Sequence, residues 1–339
     1  MKLSRRAVLG SLLSAPALLR STGARAAART LRISHQFPGG TLEQGDFRDR
    51  LVRRFAAAVQ ERTHGALGFE IHPAATLMKP VPQFSALGRG ALDMSVFPLA
   101  YAGDEMPEAR IALMPCVVTT YEQGMAWKTQ PIGQALTNAL NQRGVKIVTW
   151  IWQAGSTVSR TAPLIRPEDL KGVTIRGGSH EMDLMLRAAG ANISTVLSNG
   201  IYGAMQAKSL DAAVTSSSTL ISSKMPEVAK AVTVGGTGSF WFMFEPLLMS
   251  KQVYDSLPPP HQKAIDEVGA ELEAFAMEAV QDDDERLARV FADAGLAARD
   301  MDEAAIDQWR TLAEATAWKD FSGRSAECAA LLRLAQAVA

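Results

Sequence analysis

Pro167-Glu168-Asp169-Leu170-Lys171-Gly172-Val173-Thr174-Ile175-Arg176-Gly177-Gly178-Ser179 is the stretch on which the fold of this 339-residue chain turns. It reads as a turn feeding a short strand whose last side chain is a guanidinium. Two glycines and a serine suited to cap a helix follow at once. The helix continues to about residue 189. Strand, tight turn and helix form the repeating unit of an open α/β sheet, and such sheets take ligands beyond the carboxyl ends of their strands. An arginine placed there can hold a carboxylate through two parallel hydrogen bonds. The glycines allow close backbone approach, and the helix N-terminus favours an anion.

The same alternation runs outward in both directions. Upstream, residues 31–34 alternate like a strand, and Phe47, Leu51, Phe55 and Val59 recur every four residues, predicting a helix that ends near Gly65. Residues 67–71 and 92–97 read as strands, and 82–88 as helical. Pro131 and Gly144 bracket a helix that leads into a strand over 145–151. Downstream, a helix over 199–208 precedes strands at 210–214 and 232–234 and a turn at Gly235-Gly236. The apolar run 240–249 is broken by Glu245 and Pro246 and reads as a buried strand or a crossing between lobes. Residues 259–294 form a helical pattern that would be about 50 Å long, enough to bridge two lobes. Trp309 and Trp318 read as packing anchors of the helices after it. The predicted class is α/β with largely parallel sheets. A chain of this length exceeds one usual core, so two lobes are expected.

The N-terminus carries the parts of an export signal. Lys2, Arg5 and Arg6 precede an uncharged segment over 7–19, and small residues with Ala-x-Ala boxes follow. Paired Arg5 and Arg6 suggest the twin-arginine route. The expected organisation is a signal at 1–26, a first lobe of 29–152 plus 240–280, and a second of 153–239 plus 281–339. Setting aside the five basic residues of 1–26 leaves 30 basic against 35 acidic residues. That balance offers nothing to nucleic acid, and no nucleic-acid motif is evident. Cys116 and Cys328 are compatible with pairing in an oxidising compartment, although Cys116 reads better as a buried thiol.

No catalytic pattern emerges. His180-Glu181 has Leu184 where a metalloprotease helix needs a second histidine, and it reads as an exposed helix start. The remaining histidines lack metal-ligand spacing. Gly236-Thr237-Gly238 lacks the rest of a dinucleotide fingerprint, and there is no Walker A loop. Asp282-Asp283-Asp284-Glu285 reads as a solvated helix face. The chain is therefore expected to be a binding protein with no enzyme activity, no cofactor and no metal.

Asp169-Leu170-Lys171-Gly172 with Ile175-Arg176 resembles the signature of solute-binding proteins of TRAP (tripartite ATP-independent periplasmic) transporters. Ala189-Gly190-Ala191-Asn192, Tyr202-Gly203-Ala204-Met205-Gln206 and Leu210-Asp211 follow that family's order. So do Leu92-Asp93-Met94, Leu113-Met114-Pro115, and Leu257-Pro258 with Gln262. The resemblance implies a periplasmic, two-lobed binding protein with a hinged cleft and a long helix across both lobes. It implies a ligand carboxylate on Arg176, delivery to a small and a large membrane subunit, and no ATP site. Three positions depart from the common pattern. Ser156 stands where many members have a second arginine, Gly200 where a glutamate is common, and Val214-Thr215-Ser216 follows Asp211-Ala212. Fewer charged groups favour a monocarboxylate with an apolar or aromatic body over a dicarboxylate. Ser156, Thr215 and Ser216 are candidate contacts, and Trp152, Gln153, Trp241 and Phe37 are candidates to line the pocket. Tyr202 and Gln206 read as structural. A monomer is expected. The competing readings are a receptor of an ATP-driven importer, a periplasmic ligand sensor or a periplasmic enzyme.

Overall fold

The structure is a computed structural model that describes residues 29–235 and 238–338. The expected signal and the Gly236-Thr237 part of the glycine turn lie outside them. In chain order the first elements are β1 (Arg29–Ser34), α1 (Phe47–Arg62), β2 (Leu67–His72), α2 (Gln83–Gly88) and β3 (Met94–Val96). Two 3-10 turns, Leu99–Ala102 and Pro107–Leu113, precede α3 (Tyr121–Ala126), α4 (Pro131–Gln142) and β4 (Val145–Thr149). Then come β5 (Trp152–Ser159), β6 (Thr174–Arg176), α5 (His180–Ala188), β7 (Asn192–Ile193) and α6 (Ile201–Gln206). β8 (Ala212–Ser216), α7 (Ser217–Ser222), β9 (Ala231–Val234), β10 (Phe242–Phe244), β11 (Leu247–Ser250) and α8 (Lys251–Asp255) follow. The chain ends with α9 (Pro259–Asp293), β12 (Ala297–Asp300), α10 (Glu303–Ala313), α11 (Lys319–Ser322) and α12 (Ala326–Gln336).

Local chemistry accounts for the early elements. Asp46 caps α1 by accepting the Arg48 N–H, and the helix buries Phe47, Leu51, Phe55 and Val59, the spacing visible in the sequence. Leu31 and Ile33 of β1 are wholly buried on alternate positions. Pro131 opens α4 at a position that needs no backbone N–H.

The strands form two sheets, one per lobe. The first has five strands in the order β2-β1-β3-β11-β4, and the second runs β12-β9-β5-β8-β6-β7 with β10 beside β5. They are less parallel than the alternation of elements suggests. β11 is antiparallel to both β3 and β4, and β5 is antiparallel to β8, β9 and β10. The reason is the crossing. β5 follows β4 after only Trp150 and Ile151, so no helix intervenes to turn the chain back, and β10 and β11 return it to the first lobe along the same path. The pairs Trp152–Phe244 and Ala154–Phe242 make this crossing a two-stranded ribbon.

The 35-residue helix α9 joins the lobes a second time. Ile265, Val268, Ala276 and Val280 lie in one core with Leu31, Phe55 and Met249. Leu287 and Phe291, further along, lie in another with Val158 and Val232. The acidic run on this helix is not simply a solvated face. Asp283 is buried, and Asp284 accepts a 2.5 Å hydrogen bond from the Tyr121 hydroxyl. After α9, Trp309 is fully buried, and the indole N–H groups of Trp309 and Trp318 are donated to the carbonyls of Ile165 and Pro115. α12 packs against α4 and the Pro107–Leu113 turn of the first lobe. Cys116 and Cys328 are both free and buried. No helix among the described residues is long and apolar enough to cross a membrane.

Candidate functional site

Arg176 ends β6, and its side chain is 3% exposed at the meeting of the lobes. Its Nε and Nη1 donate to the carbonyls of Val196 and Val214 at 3.2 and 3.0 Å, both from the second lobe. Nη2 donates at 3.1 Å to the hydroxyl of Tyr101, from the first. The guanidinium lies over Gly178, where a Cβ would stand 2.8 Å from Nη1 and where φ is +100°, so the glycine answers both a close approach and a left-handed turn. Ser179 then caps α5 by accepting the Met182 N–H at 3.1 Å, while its own hydroxyl reaches across to the Leu113 carbonyl. Among the described residues no carboxylate lies within 4.0 Å of Arg176. Asp183 is near enough to feel its charge, yet burial pushes that carboxyl up to about 6.

A cavity of about 320 Å³ opens beside Arg176, with walls from both lobes: Tyr101 and Arg110 on one side, Arg176, Ser194 and Val196 on the other. A second cavity, of about 300 Å³, lies between Gln36, Phe37 and Arg48 of the first lobe and Ser198, Asn199 and Thr219 of the second. Tyr101 lines the first, and its hydroxyl accepts the N–H of Ser198, which lines the second, at 3.4 Å.

Arg48 is the feature that the sequence reading missed. It is 1% exposed and lies flat on Phe37, 3.6 Å from the ring centroid. Asp46 takes two of its N–H groups, at 2.8 and 2.6 Å, and Glu245 a third at 3.1 Å. Nη2 also donates at 3.1 Å across the cleft to Thr219. Burial opposes its charge, but the two carboxylates hold its pKa above the ordinary range. Glu245 shows the opposite balance. Burial pushes it up to about 7 against the pull of Arg48, and its other partner is the Gln153 amide.

The predicted site residues divide between cleft and core. Arg176 and Phe37 each line a cavity. Ser156 and Thr215 face each other across β5 and β8, both buried, and the Ser156 hydroxyl lies 3.4 Å from that of Ser217. Ser216 caps α7 and donates at 2.9 Å to Thr219, which makes it a support for the cleft wall. Gln153 has one amide group on Glu245 and leaves Oε1 without a partner among the described residues. Both tryptophans are engaged in packing. Trp152 stacks edge-on against Trp127 with centroids 5.0 Å apart. Trp241 lies against Gly155, where a Cβ would come within 2.3 Å of the ring, and its indole N–H is donated to the Gly177 carbonyl at 3.0 Å. Tyr202 is bonded to Glu227 at the surface. His180-Glu181 departs from expectation, since Glu181 is fully buried and pairs with Arg110 at 3.3 Å. His180, Glu181 and Asp320 stand close enough to share an ion, but Arg110 and Arg324 already neutralise the two carboxylates.

Two α/β lobes joined by a strand ribbon and a long helix, with a buried arginine between them that no carboxylate pairs among the described residues, have the architecture of a two-lobed binding protein. Residues 40–323 match the family model described as bacterial extracellular solute-binding protein, family 7. The chain belongs to this family, that of the TRAP transporter receptors, which decides against the ATP-driven alternative. A solute-binding protein of Albidiferax ferrireducens is 52% identical over 306 residues, 90% of each chain. A TRAP periplasmic solute-binding protein from Rhodoferax ferrireducens, solved with bound malonate, is 52% identical with a TM-score of 0.90, covering 91% of this chain and 98% of that one. A C4-dicarboxylate-binding periplasmic protein of Rhodobacter capsulatus is 25% identical over 86% of each chain.

Proposed function

We propose that this chain is the periplasmic receptor of a TRAP transporter and captures a small organic monocarboxylate for delivery to a small and a large membrane subunit. The observation that carries the ligand class is Arg176, a buried guanidinium with no carboxylate within ion-pair distance among the described residues. An unpaired charge out of water costs several kcal/mol, and an incoming carboxylate removes that cost. The other arginines at the cavities, Arg48 and Arg110, are each paired with two carboxylates already. A second acidic group on the ligand would find no free cation there.

The cavities limit the ligand's size. Each is near the lower end of ligand-pocket volumes, which run from about 300 Å³ upward. Malonate, the small dicarboxylate bound in the Rhodoferax protein, would fit within either volume. Phe37, Pro38 and Ala74 give the second cavity an apolar wall. We place the first lobe at 29–152 plus 240–280 and the second at 153–239 plus 281–339, apart from α12, which packs on the first lobe and not the second, with the hinge at the Trp152–Phe244 ribbon.

Calorimetry with a panel of short acids, repeated on Arg176→Ala, tests the reading. The substitution is expected to weaken binding at least tenfold without loss of fold. Unchanged affinity in a folded variant overturns it.

A further inference from the structure

Arg176 shares its cavity with an acid. Asp183, in the first turn of α5, is half-buried and lines the same space of about 320 Å³. The two side chains lie over consecutive glycines of one turn. A Cβ at Gly177 would stand 2.7 Å from Oδ1 of Asp183, and one at Gly178 would stand 2.8 Å from Nη1 of Arg176. They do not form an ion pair, because the guanidinium donates to Val196, Val214 and Tyr101 instead. Arg176 is nevertheless the charge that most favours the Asp183 anion, ahead of the nearby Gly177 N–H and Arg187.

The other charges around α5 are already engaged. Asp104 and Glu181 both pair with Arg110 of the Pro107–Leu113 turn, and Glu108 of that turn lines a separate groove against α12. β7 offers only Asn192 and Ile193. α10 and the turn after it share a core with Met182 and Met185. There Asp307 and Arg310 pair with each other, and Glu314 is exposed. His180 lines the cavity too, and burial, with Arg110 and Arg324, holds it towards its neutral form.

We infer that Asp183 is the proton acceptor of this site, so that an organic acid captured on Arg176 as its carboxylate brings a proton from solvent onto Asp183. The inference rests on the reading of Arg176 as the carboxylate anchor. Two carboxyl groups that share one cation in one small cavity disfavour each other's ionisation. The ligand takes over the positive charge that favours the Asp183 anion and adds a negative charge in the same space. Burial already pushes Asp183 up to about 6 in the unliganded protein, and the ligand raises it further. Well above both values Asp183 is ionised with or without ligand, and well below them it is protonated in both states. Between them binding takes up a proton, so affinity climbs as pH falls from about 8 to about 6.

Calorimetry on the full chain with butanoate and benzoate, both ionised across this range, tests the inference. Titrations at pH 6.5 in buffers of different ionisation enthalpy count the protons. Uptake of about 0.3–1 proton per ligand is expected, and affinity should fall at least threefold between pH 6 and pH 8. Asp183→Asn should abolish the uptake. At pH 8 it should also bind at least threefold more tightly than the unmodified protein, a gain that a merely structural aspartate would not give. His180→Asn should leave the uptake in place. No uptake by the unmodified protein overturns the inference, and that result needs no variant to fold. Uptake that survives Asp183→Asn, or that is lost in His180→Asn, overturns it as well. Arg176→Ala separates the two readings. Retained affinity there, or no binding of either acid at any pH, overturns the carboxylate anchor and the inference with it.

Discussion

The Tyr101 hydroxyl, from the first lobe, lies 3.1 Å from Nη2 of Arg176 in the second. It accepts that N–H and also the backbone N–H of Ser198 at 3.4 Å, so one oxygen bridges the lobes at the anchor itself. Both contacts use the phenol as acceptor, and its own proton has no acceptor among the described residues. Tyr101 lines the cavity beside Arg176, where a ligand oxygen is the natural acceptor.

Tyr101→Phe should therefore weaken ligand binding by about tenfold to 150-fold, as loss of one hydrogen bond to a charged group does. The edge-on ring contact with Phe97 is retained, so thermal stability should change little. Calorimetry and a melting curve check both halves. An affinity equal to that of the unmodified protein would show that the phenol serves only the lobe contact.

Gly155 offers a test of how the tryptophan behind the anchor is held. A Cβ at this position would stand 2.3 Å from the Trp241 ring, so Gly155→Ala must displace the indole. Overpacking of a filled core typically costs about 1–3 kcal/mol. The Trp241 hydrogen bond to the Gly177 carbonyl should be lost with it, loosening the turn that carries Arg176. The expected result is a melting temperature several degrees lower together with weaker binding. A variant as stable as the unmodified protein would mean that Trp241 has room to move.

The parts of this architecture written in local spacing could be read from the sequence. The four-residue period of α1, the Pro and Gly ends of α4, and the strand and double glycine around Arg176 all depend on neighbours within a few residues. β5 was not legible, because Trp152–Ser159 is buried along nearly its whole length and shows no alternation. Arg48 was hidden for another reason. Arg48, Arg50, Arg53 and Arg54 follow one another in α1, and nothing local marks the first as the buried one. Its partner Glu245 is 197 residues away, and Thr219 is 171. Tyr101 likewise acquires its role only from Arg176, 75 positions on. The sequence signal within reach was Glu245 itself, a carboxylate in an otherwise apolar run.

Arg48 links stability to lobe closure, and two substitutions separate these effects. Arg48→Met leaves Asp46 and Glu245 buried without their cation, a loss that typically costs about 3–5 kcal/mol. Thr219→Val removes the bond across the cleft and, within α7, the acceptor of the Ser216 hydroxyl, while leaving both acids their cation. The first variant should be strongly destabilised in denaturant titration. The second should fold normally but occupy a more open state without ligand, seen as a larger radius of gyration in solution scattering. An unchanged radius would mean that the cross-lobe bond contributes nothing to closure.

The hinge side of the molecule should respond to pH through Asp284. Burial pushes this carboxyl up to about 6 from an ordinary 3.8, although Ser217 and the Tyr121 hydroxyl both donate to it. A carboxyl with a raised folded pKa keeps its proton in the native state where the unfolded chain has lost it. Folding stability then falls as pH rises from about 3.8, and the loss is complete above about 6. Asp284→Asn cannot ionise, and its side-chain oxygen still accepts from Tyr121. Near pH 3.5 the variant and the unmodified protein should unfold at similar denaturant concentrations. At pH 7.5 the variant should be the more stable by about 1–3 kcal/mol, since each unit of pKa shift corresponds to about 1.4 kcal/mol. Glu245, pushed up to about 7, adds a slope of the same sign that the substitution leaves in place. Matching pH profiles for the two proteins would show that Asp284 is ionised in the folded state at no cost, with the Tyr121 and Ser217 hydroxyls and the N–H of Ala154 behind them sufficient to solvate it.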